Sequence, residues 1–313
     1  MPQAKGGLAA PAVILLLFVL LMPALSNSGS AAQGKAGGPV YLPLISRAEE
    51  TPEPTALPPG SCPATSTNSY AAGPATQYDL DNPVRPAHNH ADKNIDLRGY
   101  TPSTDPSLKR ELVNYGTDDP TQPPQFATLF SPSKVPQLVG FYRVYSWNWA
   151  ASPNPGTRGA PISTYPVTAL GLRTWPGEEL HVPVSGYSIG GSPAMEVLVI
   201  FADEDTITLR YTREDSSGSQ GYSVHIDNIC TDPNLLALYN SLDQGKRYEF
   251  HYRGWQGYNL PNMPAGKVFG TARDDEIVIA VQDTGNFMDP RSCNEWWQIR
   301  PGYTGTCPSW GGH

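Results

Sequence analysis

Five short segments alternate apolar and polar residues at every second position, and this alternation is what most limits the folds open to the chain. They are Glu179–Val184, Glu196–Phe201, Asp205–Thr212, Gly221–Ile226 and Glu276–Val281. Successive side chains on a strand point to opposite faces, so the pattern builds sheets with a face on a core. A sixth run, Phe141–Trp149, is rich in aromatic residues and reads as a further strand. Gly, Asp and Ser separate several of these runs, which favours antiparallel pairing through short turns. The 33 prolines and 30 glycines leave little room for long helices. One helix is expected over Pro233–Leu242, with Asp232 as its cap and Pro233 at the first helical position. A second, shorter helix is expected over Ser107–Val113. The expected fold is mostly β: an antiparallel, sandwich-like core with one short helical insertion, preceded by a disordered spacer.

The N-terminal part reads as processing and spacing sequence. Lys5 precedes the apolar run Val13–Met22, which is too short to span a bilayer comfortably. Small residues follow, so residues 1–32 read as a secretory signal peptide, with cleavage after Ser26 or Ala32. Residues 33–86 are rich in Pro, Gly, Ala, Ser and Thr. Such a stretch buries too little apolar area to offset its conformational entropy, so it reads as a spacer. The globular part is then a single β-rich domain over 87–313, whose loop-rich first section, 87–160, wraps the core. No membrane span is expected after cleavage.

Acidic residues exceed basic ones by 29 to 21, for a formal net charge of -8. No basic cluster is present, which argues against a nucleic-acid partner. The four cysteines stand at 62, 230, 293 and 307. An even number in an exported chain favours disulfides. Cys293 and Cys307 bracket an irregular Gly-, Pro- and Trp-rich tail that a staple would hold, leaving Cys62 to pair with Cys230.

Two stretches carry a resemblance. Gly177-Glu-Glu-Leu180-His-Val182-Pro-Val-Ser-Gly186 places two glycines around a strand. Gly266-Lys-Val-Phe-Gly270 leads into Glu276–Val281, then Gly285 and Asp289-Pro290. Their order and spacing resemble the lysostaphin-type zinc endopeptidases, which cut peptide cross-links in bacterial cell walls, over roughly 165–292. A looser likeness joins Thr208-Leu209-Arg210-Tyr211-Thr212-Arg213 to the family's catalytic Thr-Leu-Tyr-x-His element. The resemblance implies the scaffold and not the reaction. The positions matching the family's metal ligands are Val167, Gly171, Glu276 and Val278, and Arg213 stands where the catalytic histidine would be. Blocks such as Ile207–Asp215 and Phe287–Ser292 also resemble uncharacterised exported bacterial proteins.

His88, His90 and Asp92 have the spacings of a metal pair on one strand and of His-x-x-x-Asp. They are the alternative zinc site, with Asp96, His181 or His225 as further ligands. His181 and His225 alternate with apolar neighbours and are expected to face solvent or a groove. Gly186-Tyr-Ser188-Ile-Gly190 fits a hydrolase elbow, but the following sequence reads as strand rather than helix. Asp203, Glu204, Asp205, Asp274, Asp275 and Glu276 could supply paired carboxylates for sugar cleavage, or be turn residues. Trp296 and Trp297 could form an exposed shelf for a sugar or split between core and surface.

The function expected is a non-catalytic binding or structural module of the bacterial cell envelope, secreted or extracytoplasmic. Its partner would be cell-wall peptide or glycan, held by Tyr211, Arg213, Glu276, Trp296 and Trp297, with no cofactor. The alternative is a zinc metallopeptidase using His88, His90 and Asp92.

Overall fold

A strand whose two faces are both apolar must be covered on both sides, and Glu276–Asp283 is that strand. Ile277, Ile279 and Val281 are fully buried on one face, and Val278 and Ala280 are buried on the other. The computed structural model places it in the middle of a large antiparallel sheet. Described residues are 58–75, 87–115, 123–151, 156–191, 193–213, 221–243 and 259–307. They all fall within one compact unit, Pro54–His313. The signal peptide and the spacer up to residue 57 lie outside them.

The strands are β1 (Ala71–Pro74), β2 (Tyr100–Pro102), β3 (Leu138–Asn148), β4 (Thr157–Pro161), β5 (Ala169–Arg173), β6 (Glu179–His181) and β7 (Val197–Ala202). They continue as β8 (Thr206–Tyr211), β9 (Tyr222–Asp227), β10 (Ile229–Thr231), β11 (Asn259–Met263), β12 (Val268–Ala272), β13 (Glu276–Asp283) and β14 (Asn286–Phe287). The large sheet runs β1-β11-β7-β8-β9-β13-β5-β3-β2, with β14 added on β13 and β4 on β3. A small sheet runs β10-β12-β6. Every named strand pair is antiparallel.

One face of the large sheet carries the main core. Leu170, Leu172, Val199, Leu209, Val224 and Ile279 pack there with Leu180 and Phe269 of the small sheet and with Phe126 and Leu129. The opposite face carries a second cluster, Ile95, Val144, Ala169, Val278, Ala280 and Phe287. Mostly β, antiparallel and sandwich-like is therefore the right class. The tight β13–β14 turn is made by Thr284 and Gly285, both at positive φ (48° and 84°). That is the backbone a two-residue turn needs to match the twist of its strands.

The expected helix is α2, Pro233–Asp243, following the short α1, Ile95–Arg98. Asp232 caps it: Oδ1 accepts from the Asn234 and Leu235 amides at 2.9 and 3.3 Å. The expected helix over Ser107–Val113 does not form. Val113 instead exchanges backbone bonds with Arg291 and Cys293, so tertiary pairing claims the groups a helix would need.

The spacer boundary also needs correction, because residues 58–75 are part of the folded unit. β1 pairs with β11 through Ala71–Pro74. Asp232 Oδ2 accepts from Ser66 Oγ (2.5 Å) and Asn68 Nδ2 (2.8 Å), and Tyr70 Oη donates to Val268 O at 3.0 Å. Cys62 pairs with Cys230 and Cys293 with Cys307, at Cα separations of 5.3 and 5.5 Å. Polar composition made the strap look like linker, but hydrogen bonds and a disulfide anchor it, with Ala75 and Tyr70 on the main core. Two such cross-links fit an oxidising compartment outside the cytoplasm. No helix among the described residues is long and apolar enough to cross a membrane.

Candidate functional site

The segment 87–98 covers the second face of the large sheet, and it absorbs the histidine cluster. Arg98 is buried and donates from Nη2 to Asp92 Oδ1 at 2.5 Å and from Nε to Ala91 O at 2.9 Å. Gln282 Nε2 donates to the same Asp92 oxygen at 3.3 Å. His90 Nδ1 accepts from the Asp92 amide, and its ring lies 4.9 Å from Trp149. The His88 carbonyl accepts from Asn94 Nδ2. Asp92 and His90 are therefore engaged in holding this segment, and the trio does not bring its ligand atoms together. Among the described residues, the one group of three or more such ligand atoms within 4.8 Å is Asp96, Asp203 and Asp205.

His225 is fully buried rather than facing solvent. Its Nδ1 lies 2.9 Å from Thr208 Oγ1 and its Nε2 3.2 Å from Gln282 Oε1. Burial lowers its pKa to about 4, so the ring is neutral near pH 7. His181 belongs to the small sheet, with Nδ1 3.1 Å from Gly266 O.

Beside this knot runs a ladder of carboxylates and tyrosines. Tyr142 Oη donates to Glu276 Oε1 at 2.9 Å, and the Tyr142 ring lies 5.1 Å from Tyr100. Tyr100 Oη donates to Asp227 Oδ2 at 2.6 Å. Thr206 Oγ1 stands 3.1 Å from both Asp227 Oδ1 and Asp96 Oδ2. One hydroxyl hydrogen cannot serve two carboxylates, so a proton on one of them completes the set. Partial burial and the neighbouring Asp227 charge raise Asp96 to about 6, and burial followed by the Asp205 charge raises Asp203 to about 7. Asp203 Oδ1 also accepts the Asp205 and Thr206 amides, which closes the β7–β8 turn. Arg273 Nη1 donates to Asp205 Oδ2 at 3.0 Å. These acids shape a turn.

The residues expected to hold a ligand do not share a groove. Tyr211 is buried in the main core with its hydroxyl on Pro183 O at 2.9 Å. Arg213 binds both oxygens of Asp283 at 2.7 and 2.6 Å. Glu276 lies on the other face with Tyr142, where a Cβ at Gly140 or Gly171 would collide with its carboxylate. Gly171 stands opposite Val278 in register and Glu276 opposite Arg173. Val167 is buried.

Trp296 and Trp297 form no exposed shelf, since both are buried. They sit at the end of α3 (Cys293–Trp296) and pack on Phe126, with ring centroids 5.8 and 5.7 Å away. Their indole N–H groups donate to Asp289 O (3.1 Å) and Pro290 O (2.8 Å). The pair thus braces the loop 289–292 from below. Ser188 stands just before a reversal closed by Ile189, Gly190 and Met195, and the next element is the strand β7 rather than a helix.

Above that loop opens a groove of about 610 Å³. Its walls include Ser107, Lys109, Glu111, Tyr115, Thr164 and Tyr165, with Arg291 at its side. The Tyr115 and Tyr165 rings meet edge-on at 5.5 Å, and Tyr115 is 47 % exposed. Tyr115 Oη donates to Asp289 Oδ2 at 2.9 Å, which fixes its ring. Arg291 is buried, and four of its five N–H groups are taken by Asp289, Lys109 O and Tyr115 Oη. Sequence reasoning missed this site. Its one signal was Asp289-Pro290, which entered only as part of the resemblance to the endopeptidase scaffold.

No family model, curated protein or solved structure matches the chain.

Proposed function

We propose that this chain is a non-catalytic binding module of the bacterial cell envelope, working outside the cytoplasm on cell-wall peptide or glycan. The observation that carries the reading is the tyrosine groove: exposed Tyr115 meets half-buried Tyr165 edge-on, and its hydroxyl is tied to Asp289, on the loop whose carbonyls the buried tryptophans bond. Rigid aromatic groups lose little freedom on binding, so such a surface favours recognition. The resemblance to the cell-wall peptidase scaffold supports the setting. The positions that would bear its zinc carry Val167, Gly171, Glu276 and Val278, and Glu276 is bonded to Tyr142. Recognition by this groove needs no metal.

The test is sedimentation of the full chain with isolated bacterial cell walls, with and without added zinc, while released wall fragments are assayed. Binding without release of fragments supports the module. Zinc-dependent digestion would replace it by the peptidase reading, and failure to sediment with walls would remove the envelope partner.

A further inference from the structure

We infer that the groove between residues 107–115, 164–166 and 291 takes a neutral saccharide rather than an anion or a peptide strand; this rests on the binding-module reading above. Three observations narrow the ligand class.

The first is charge. An anion site needs cationic donors left over for the ligand. The Arg291 guanidinium at the groove has its Nε and Nη2 on Asp289, Nη1 on Lys109 O, and a further contact to Tyr115 Oη. Lys109 and Glu111 bring one charge of each sign to the wall. The groove therefore offers no net positive field to an anion.

The second is the backbone. A peptide binding as an added strand needs a free ladder of N–H and C=O groups. On the wall segment, the Val113 amide donates to Arg291 O at 3.0 Å and the Val113 carbonyl accepts from Cys293 N at 2.9 Å. At Val113 the edge of this segment that faces 291–293 is already used by the protein's own chain.

The third is what remains. Two tyrosine rings provide apolar faces, with Ser107 and Thr164 hydroxyls alongside them. A pyranose has an apolar face of C–H groups and a rim of hydroxyls, and this lining matches both parts. The groove's volume accommodates a short oligosaccharide rather than a single ring.

The experiment measures binding of the full chain to neutral N-acetylhexosamine and hexose oligosaccharides by calorimetry, beside a cell-wall stem peptide and inorganic phosphate. It also measures sedimentation with whole cell walls. The inference expects saturable binding to one or more oligosaccharides that competes with walls. Tyr115→Ala should weaken it by about tenfold, whereas Tyr115→Phe, which keeps the ring, should hold affinity within about threefold. Trp175→Ala, an exposed residue outside the groove, should leave binding unchanged. Wall binding displaced by the peptide or phosphate and not by sugars would overturn the saccharide assignment and leave the module reading intact. Sugar binding insensitive to Tyr115→Ala would overturn the site. No binding to walls or to any probe would overturn both.

Discussion

Arg291 grips Asp289, two residues before it, through Nε to Oδ1 at 2.9 Å and Nη2 to Oδ2 at 2.6 Å, and both side chains are about 1 % exposed. The pair sets the loop that Trp296 and Trp297 bond from below and that Tyr115 touches from above. Removing one partner leaves the other as an uncompensated buried charge. Arg291→Met should therefore cost about 3–5 kcal/mol in urea unfolding. Arg291→Lys should not restore it, because an ammonium cannot reproduce the two-pronged geometry.

His225 makes stability fall in mild acid. Its folded pKa is depressed to about 4 from 6.5, so the unfolded chain takes up its proton first. Its contribution is complete above pH 6.5 and is lost as pH falls toward 4. The loss is roughly 3 kcal/mol for a shift of this size. His225→Asn should reduce this slope, as read from urea midpoints between pH 7 and pH 4.

Asp203 acts in the opposite sense. Its folded pKa is raised to about 7 from 3.8, so its contribution is complete below pH 3.8 and is lost as pH rises toward 7. Asp203→Asn keeps an oxygen for the Asp205 and Thr206 amides while removing the charge. It should raise stability by about 1 kcal/mol at pH 8 and leave it unchanged near pH 4. A loss at pH 8 would mean that the carboxylate is needed as an anion.

The strap 58–75 depends on Cys62–Cys230, which closes a sequence separation of 168 residues. Cys62→Ser with Cys230→Ser should cost about 2–5 kcal/mol. Amide exchange should quicken first at Ala71–Gly73 and at Asn259, Leu260 and Asn262 opposite them, since β1 is an edge strand paired on one side only. Uniform exchange across the sheet would refute a local role for the disulfide.

How much was legible follows from which residues carried a local signal. The runs at 197–202, 206–211, 222–227 and 276–283 all became strands close to their expected limits, because the alternation of residue character is local to the strand, although the fold buries both faces of each. Asp232 and Pro233 announced α2, because a cap bonds amides only two and three residues away. The ligand residues were less legible. Tyr211 and Glu276 read as neighbours in a groove but lie on opposite faces of the sheet, and no local pattern says which face a partner strand will cover. Tyr115 and Tyr165 are 50 residues apart in sequence and gave no joint signal.

The sequence alone determined that the chain would be β-rich, antiparallel and cross-linked, because alternation, turn residues and cysteine count act over short distances. Tertiary structure decided the rest. It drew residues 58–75 into the fold, buried Trp296 and Trp297, neutralised His225, and tied Asp92 to Arg98. Above all it brought Tyr115, Tyr165 and the Asp289–Arg291 pair to one groove. Such meetings depend on strand order and on which groups find partners when water is excluded, and neither is written in any single stretch of chain.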